Sequence, residues 1–116
     1  MRNNIIVDKS FQFSINIIRL YQFLLQQKKE FILSKQILRS GCSIGANVEE
    51  SQGGISKKDF IAKLGIAYKE ARETKYWLRL LRATDYISEI QFQPLLNDCD
   101  EILKILFHII NTSRER

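Results

Sequence analysis

The chain has 116 residues, 45% of them hydrophobic, with five glycines, one proline and a formal charge of +5. That length builds a single domain around one continuous core, and the composition excludes a disordered or fibrous protein. Cys42 and Cys99 are isolated thiols without a C-x-x-C pairing, so they read as small core residues in a reducing compartment.

The N-terminal stretch "MRNNIIVDKS" has no apolar run of signal-peptide length, and "FSINIIRLYQFLL" carries Asn16, Arg19 and Gln22, which argues against a membrane span. A soluble, cytoplasmic protein that does not engage a membrane is expected.

So few glycines and prolines favour long elements with short links. The first helix is predicted over about 8–28, with Asp8 as N-cap; Phe11, Ile15, Ile18 and Leu25 share one face, and Phe13, Ile17, Leu20 and Leu24 widen it. The second is predicted over 31–52, with Ile37, Gly41, Ile44 and Val48 as its seam and Gly53 and Gly54 as its end.

The third, over 57–84, starts with a Ser56-x-x-Asp59 signature. It repeats Phe60, Leu64, Ala67, Ala71, Thr74, Leu78 and Leu81 in alternating steps of four and three, the spacing of a helix–helix seam. The fourth has a Ser88 start with Gln91 three residues on. Because Pro94 is tolerated near a helix start, regular helix is expected over 92–111. Its seam is Phe92, Leu95, Cys99, Ile102, Leu106 and Ile109. Short links force antiparallel neighbours, so the chain reads as an all-α, up-down-up-down four-helix bundle spanning 1–116 as one domain.

The glycine-bearing stretch "GCSIGANVEES" is the passage that could have marked an enzyme. A phosphate loop needs G-x-x-x-x-G-K-[ST] after a buried strand; here Gly41 and Gly45 stand one helical turn apart, no lysine follows, and helical periodicity continues on both sides. Their shared face reads as a packing surface for a closely approaching helix.

Catalytic and metal chemistry find no foothold in the pattern. The lone histidine, His108, shares a polar helix face with Glu101 and Lys104, and no Glu-x-x-His pair stands on two helices as a di-metal bundle requires. No cofactor, metal or small-molecule substrate is expected, nor an enzyme.

Charge is distributed unevenly. Residues 57–82 carry eight Lys/Arg against three acids, whereas 83–113 carry five acids against Lys104. Lys57, Lys58, Lys63, Lys69, Arg72, Lys75, Arg79 and Arg82 therefore form a candidate surface for RNA or DNA, with Tyr68 and Tyr76 available for stacking. The rival reading pairs those cations with acids of the fourth helix or of a neighbouring subunit, which makes the protein a structural adaptor. Ile61, Tyr68, Tyr76 and Trp77 lie outside the third helix's seam and are candidates for a subunit interface.

"LRSGCSIGANVEES" followed by "SKKDFIAKLGIAYKEARETKYWLRLL" resembles the bacterial four-helix-bundle proteins encoded in intervening sequences of 23S ribosomal RNA genes, often labelled a ribosomal-protein family. The likeness covers nearly the whole chain. It is most specific at Ser43–Ile44 with Asn47-x-x-Glu50, and at Lys69–Glu70–Ala71 with Tyr76–Trp77–Leu78; where the family has Gly after that Glu, this chain has Ser51.

The resemblance implies an antiparallel bundle assembled as a ring, typically of five subunits, without known enzymatic activity. Related accessory proteins of diversity-generating retroelements are basic pentamers that bind a reverse transcriptase and nucleic acid, so it also implies RNA and such a protein as possible partners. Gly41 and Gly45, read above as a packing surface, and Asn47 and Glu50, one helical turn apart, take structural roles; a buried Asn47 amide needs a partner, either on a neighbouring helix or in an intersubunit contact.

Overall fold

The structure is a computed structural model that describes residues 4–115. Four antiparallel helices form a rod of 47 × 20 × 19 Å: α1 (Asn4–Gln27), α2 (Leu33–Gln52), α3 (Lys57–Ala83) and α4 (Glu89–Arg114). No strand occurs among the described residues. Each helix packs on its sequence neighbours and α4 closes the square against α1, so α1 and α3 stand at opposite corners.

Side-chain caps fix the starts. Ser56 Oγ accepts from the Asp59 N–H at 3.1 Å, and Ser88 and Gln91 form a reciprocal capping box. That box starts α4 at Glu89, ahead of the expected 92, and leaves Pro94 inside the helix. The proline is exposed in the second turn, where the carbonyl it leaves unbonded can face water.

The start of α2 is capped by Glu30, whose carboxylate accepts from the N–H groups of Ile32 and Ser34 at 3.3 and 2.8 Å. Phe31 therefore lies in the link, not in the helix. Asp8 lies inside α1 instead of capping it, because that helix already includes Asn4.

At the other ends, Lys29 and Asp85 take left-handed φ values of 54° and 64°. After α3, the Tyr86 N–H reaches back to the Leu81 carbonyl at 3.0 Å, the closing bond of a Schellman-type end. Gly53, by contrast, ends α2 with φ at −97°.

The core is a stack of heptad seams: Ile6, Phe13, Ile17, Leu20 and Leu24 of α1; Ile37, Ile44 and Val48 of α2; Leu64, Ala67, Ala71, Leu78 and Leu81 of α3; Cys99, Ile102 and Leu106 of α4. The expected leading face of α1 is corrected here. Phe11 and Ile18 are exposed, and the residues that merely widened that face are the buried ones.

The reason lies in α2. A Cβ on Gly41 would stand 2.8 Å from Ile17 Cγ2, and one on Gly45 would stand 3.1 Å from Ser14 Oγ and 3.2 Å from the Ser10 carbonyl. Backbones this close need the small Ser10 and Ser14 and the single Ile17 on the facing side of α1. The bulkier row of Phe11 and Ile18 turns outward.

Candidate nucleic-acid interface

Seven-residue spacing divides the basic face of α3 into rows, because positions seven apart fall on nearly the same side of a helix. One row, Ile61, Tyr68, Lys75 and Arg82, faces α4. Lys75 Nζ lies 2.8 Å from Asp100 Oδ1, Arg82 Nε donates to Glu89 Oε2 at 3.0 Å, and the Tyr68 ring meets Phe107 at 6.2 Å between centroids.

Two of these pairs keep one antiparallel register: as α3 advances from Tyr68 to Lys75, its partner on α4 retreats from Phe107 to Asp100, while Arg82 reaches on to Glu89 at the start of α4. Ile61 and Tyr68, proposed from sequence for a subunit interface, are half-buried against the protomer's own core.

A second row faces α2. Lys63 Nζ lies 3.0 Å from Glu50 Oε1, and Arg39 bonds both Glu70, at 3.1 Å, and Glu73. Trp77 Nε1 donates to the same Glu73 carboxylate at 2.9 Å. Arg39 was missed by sequence reasoning, and nothing in its local sequence announces it. It becomes legible only once α2 and α3 are set antiparallel.

Asn47 departs from expectation. Its Nδ2 donates to the Ser43 carbonyl of its own helix at 2.8 Å rather than to a neighbour. A short amide on a half-exposed helix face finds the carbonyl one turn back before any other acceptor.

The third group faces outward. Lys58, Lys69, Arg72 and Arg79 are exposed and make no ion pair among the described residues, and Tyr76 stands beside them, 54% exposed with its ring edge-on to Trp77. Lys58, Arg72 and Arg79 share one row, so Arg72 and Arg79 are about 10.5 Å apart along the axis. Lys57, also unpaired, opens α3. With Lys58, Ile61 and Arg114 it lines a shallow hollow of about 460 Å³ at the end of the bundle.

Of the eight cations expected to form one surface, Lys63, Lys75 and Arg82 are thus committed to acids within the chain. Lys57, Lys58, Lys69, Arg72 and Arg79 are free to meet a polyanion.

Reactive chemistry is not built into this surface. Burial pushes the Cys99 thiol up to about 12, and its Sγ donates to the Ala71 carbonyl at 3.3 Å. Burial also raises Cys42. Neither is a poised thiolate. His108 is exposed, and among the described residues no group of three His, Cys, Asp or Glu could hold a metal ion. No described helix is long and apolar enough to cross a membrane.

The profile of the 23S rRNA-intervening sequence proteins matches residues 2–108. The chain belongs to the 23S rRNA-intervening sequence protein family. A crystal structure of a protein of unknown function from the S23 ribosomal protein family of Bacteroides thetaiotaomicron VPI-5482 is similar at 52% identity and a TM-score of 0.93, covering 96% of this chain and 99% of that one. No curated protein matches.

In this chain the stretch from Ser43 to Glu50 and the stretch from Lys69 to Leu78 lie on the neighbouring helices α2 and α3, which the Glu50–Lys63 and Arg39–Glu70 pairs tie together. The family and its structural neighbour are both of unknown function.

Proposed function

We propose that this 23S rRNA-intervening sequence protein is a non-catalytic, cytoplasmic, self-associating scaffold that holds RNA phosphates on the outer strip of α3. The observation that carries this reading is the set of exposed cations left without acidic partners, Lys58, Lys69, Arg72 and Arg79, with Tyr76 among them. Arginine at about 10.5 Å intervals can meet successive or alternate phosphates of an extended strand, and an exposed tyrosine ring offers a stacking face to any base.

Self-association draws on the apolar residues beside that strip. Ile66 and Tyr76 are exposed and Trp77 is half-buried, more apolar surface than a lone bundle helix presents to water. A ring, with five subunits as the resemblance implies, would repeat the basic strip around its circumference. A reverse transcriptase is the class of protein partner that the same resemblance suggests.

The adaptor reading is favoured by the ion pairs of Lys63, Lys75 and Arg82, which show that part of the basic excess serves the fold. The two readings separate in a titration of single-stranded RNA at three salt concentrations, run with wild type and with Arg72→Ala/Arg79→Ala. RNA binding through the strip gives a log–log salt slope of about −0.7 per phosphate contact, so the double variant should flatten the slope by about 1.4 and leave the mass of the assembly unchanged. Affinity and slope unaffected by the double substitution would remove the strip from the site.

A further inference from the structure

The row that α3 presents to α4 ends without a match. Lys75 stands against Asp100 and Tyr68 against Phe107, a charge pair and then a ring pair in one antiparallel register. One heptad further toward the start of α3, that register sets Ile61 opposite Arg114, an aliphatic side chain against a cation. Both line the hollow of about 460 Å³ at this end of the bundle, together with Lys57 and Lys58.

Three cations from two helices therefore surround one half-buried isoleucine. Lys57, Lys58 and Arg114 are exposed, and none makes an ion pair among the described residues. No acid lines the hollow. Asp59 turns its carboxylate toward the α2–α3 link, where a Cβ on Gly54 would stand 3.1 Å from its Oδ2, and Glu115 lies outside the lining. Where other cations of α3 face a neighbouring helix, that helix supplies a carboxylate, as Glu50 does for Lys63 and Asp100 for Lys75. Here the complementary charge has to come from outside the protomer.

The number of cations points to the kind of anion. A phosphodiester within a strand carries a single negative charge. A terminal phosphate monoester carries about −1.5 to −2 at pH 7 on three acceptor oxygens, a better complement to three donors around one hollow. Lys58 also heads the row that continues to Arg72 and Arg79, so the hollow stands where a strand lying on the strip comes to the end of the bundle. Ile61 gives the last sugar or base an apolar floor.

We propose that the hollow of Lys57, Lys58, Ile61 and Arg114 binds the phosphate monoester at the end of an RNA strand whose body lies along the outer strip of α3. This rests on the reading above that the strip holds RNA phosphates, and it adds the class of RNA: one with a phosphorylated end.

Fluorescence anisotropy with a single-stranded RNA oligonucleotide tests this, the label placed internally and the strand long enough to cover the about 30 Å from Lys58 to Arg79. The oligonucleotide is made with hydroxyl groups at both ends, with a 5′-phosphate, or with a 3′-phosphate. One or both phosphorylated forms should bind the wild-type protein about three- to tenfold more tightly than the hydroxyl form, the effect of one or two exposed charge contacts. A gain confined to one form gives the polarity of the strand on α3. Lys57→Gln/Arg114→Gln changes exposed side chains only; it should abolish the preference with helical circular dichroism unchanged. Arg72→Ala/Arg79→Ala should weaken all three forms and keep the preference. Equal binding of the three forms by the wild type, or a preference that survives Lys57→Gln/Arg114→Gln, overturns the hollow as an end site and leaves the strip standing. Binding of none of them overturns the hollow and the strip together.

Discussion

The close approach of α1 and α2 can be tested by the same substitution made at two glycines. Gly41→Ala places a methyl group 2.8 Å from Ile17 Cγ2, 2.9 Å from its Cγ1 and 3.3 Å from its Cβ. All three atoms belong to a β-branched side chain that is fully buried, so it cannot swing aside from the new group. Gly65→Ala on α3 meets nothing within 4 Å.

Both changes gain about 1 kcal/mol of helix propensity. At Gly65 nothing opposes that gain, and the protein should be stabilised by up to about 1 kcal/mol. At Gly41 the overpacking cost of about 1–3 kcal/mol offsets it, for a net loss between zero and about 2 kcal/mol.

Urea denaturation of the two variants should therefore shift the midpoint in opposite directions at constant m-value. A coupling measurement sharpens the test. In an Ile17→Ala background, itself costing about 2–5 kcal/mol, Gly41→Ala should become neutral or favourable, with an interaction energy above about 0.5 kcal/mol. Equal stabilisation by Gly41→Ala and Gly65→Ala would refute the close approach, and with it the reason given for the outward turn of Phe11 and Ile18.

Two further outcomes follow from buried groups. Thr74 Oγ1 donates to the Glu70 carbonyl at 2.8 Å and shares a hydrogen bond with Ser40 Oγ at 2.9 Å, both residues being fully buried; Thr74→Val should cost about 1–3 kcal/mol in thermal unfolding by leaving the Ser40 hydroxyl unpartnered, and Ser40→Ala added to it should recover part of that loss. Cys99 is held neutral in the fold up to about 12 against an ordinary 9.0, so its contribution is intact below 9.0 and stability falls as pH rises toward 12, by at most about 1.4 kcal/mol per pH unit; Cys99→Ala should show a shallower alkaline decline, and a disulfide reagent at pH 8 should modify Cys99 only as the protein unfolds.

The fold was legible because α2, α3 and α4 each present one seam. Leu64, Ala67, Ala71, Thr74, Leu78 and Leu81 are buried in the order their spacing dictates. The first helix misled for a physical reason: it has two seams of nearly equal apolarity, and periodicity within α1 has no means of choosing between them. The choice is made by the glycines of α2, which lie on a different segment and act through steric fit.

The basic site was half legible for a similar reason. Charge counts locate the excess on α3, but whether a given lysine is free depends on what the neighbouring helices place opposite it. Charge counting does not separate Lys75 from Arg72, yet one faces Asp100 and the other faces water.

The heptad rows could have made that distinction. On α3, Ile61, Tyr68, Lys75 and Arg82 recur every seven residues; on α4, Gln93, Asp100, Phe107 and Arg114 do the same in the opposite sense. An antiparallel pair built on the two inner seams must bring these rows together, which accounts for Lys75 with Asp100 and Tyr68 with Phe107. The row starting at Lys58 has no such counterpart, since Arg72 and Arg79 lie one step further round the helix than α4 reaches.

Exposed ion pairs such as Lys75–Asp100 contribute about 0–1 kcal/mol each, so stability alone gives little reason to concentrate so many cations on α3. The pairs explain three of the eight. The other five are exposed and unpaired among the described residues, on the corner of the bundle opposite α1, so a polyanion can reach them without breaking any ion pair of the fold.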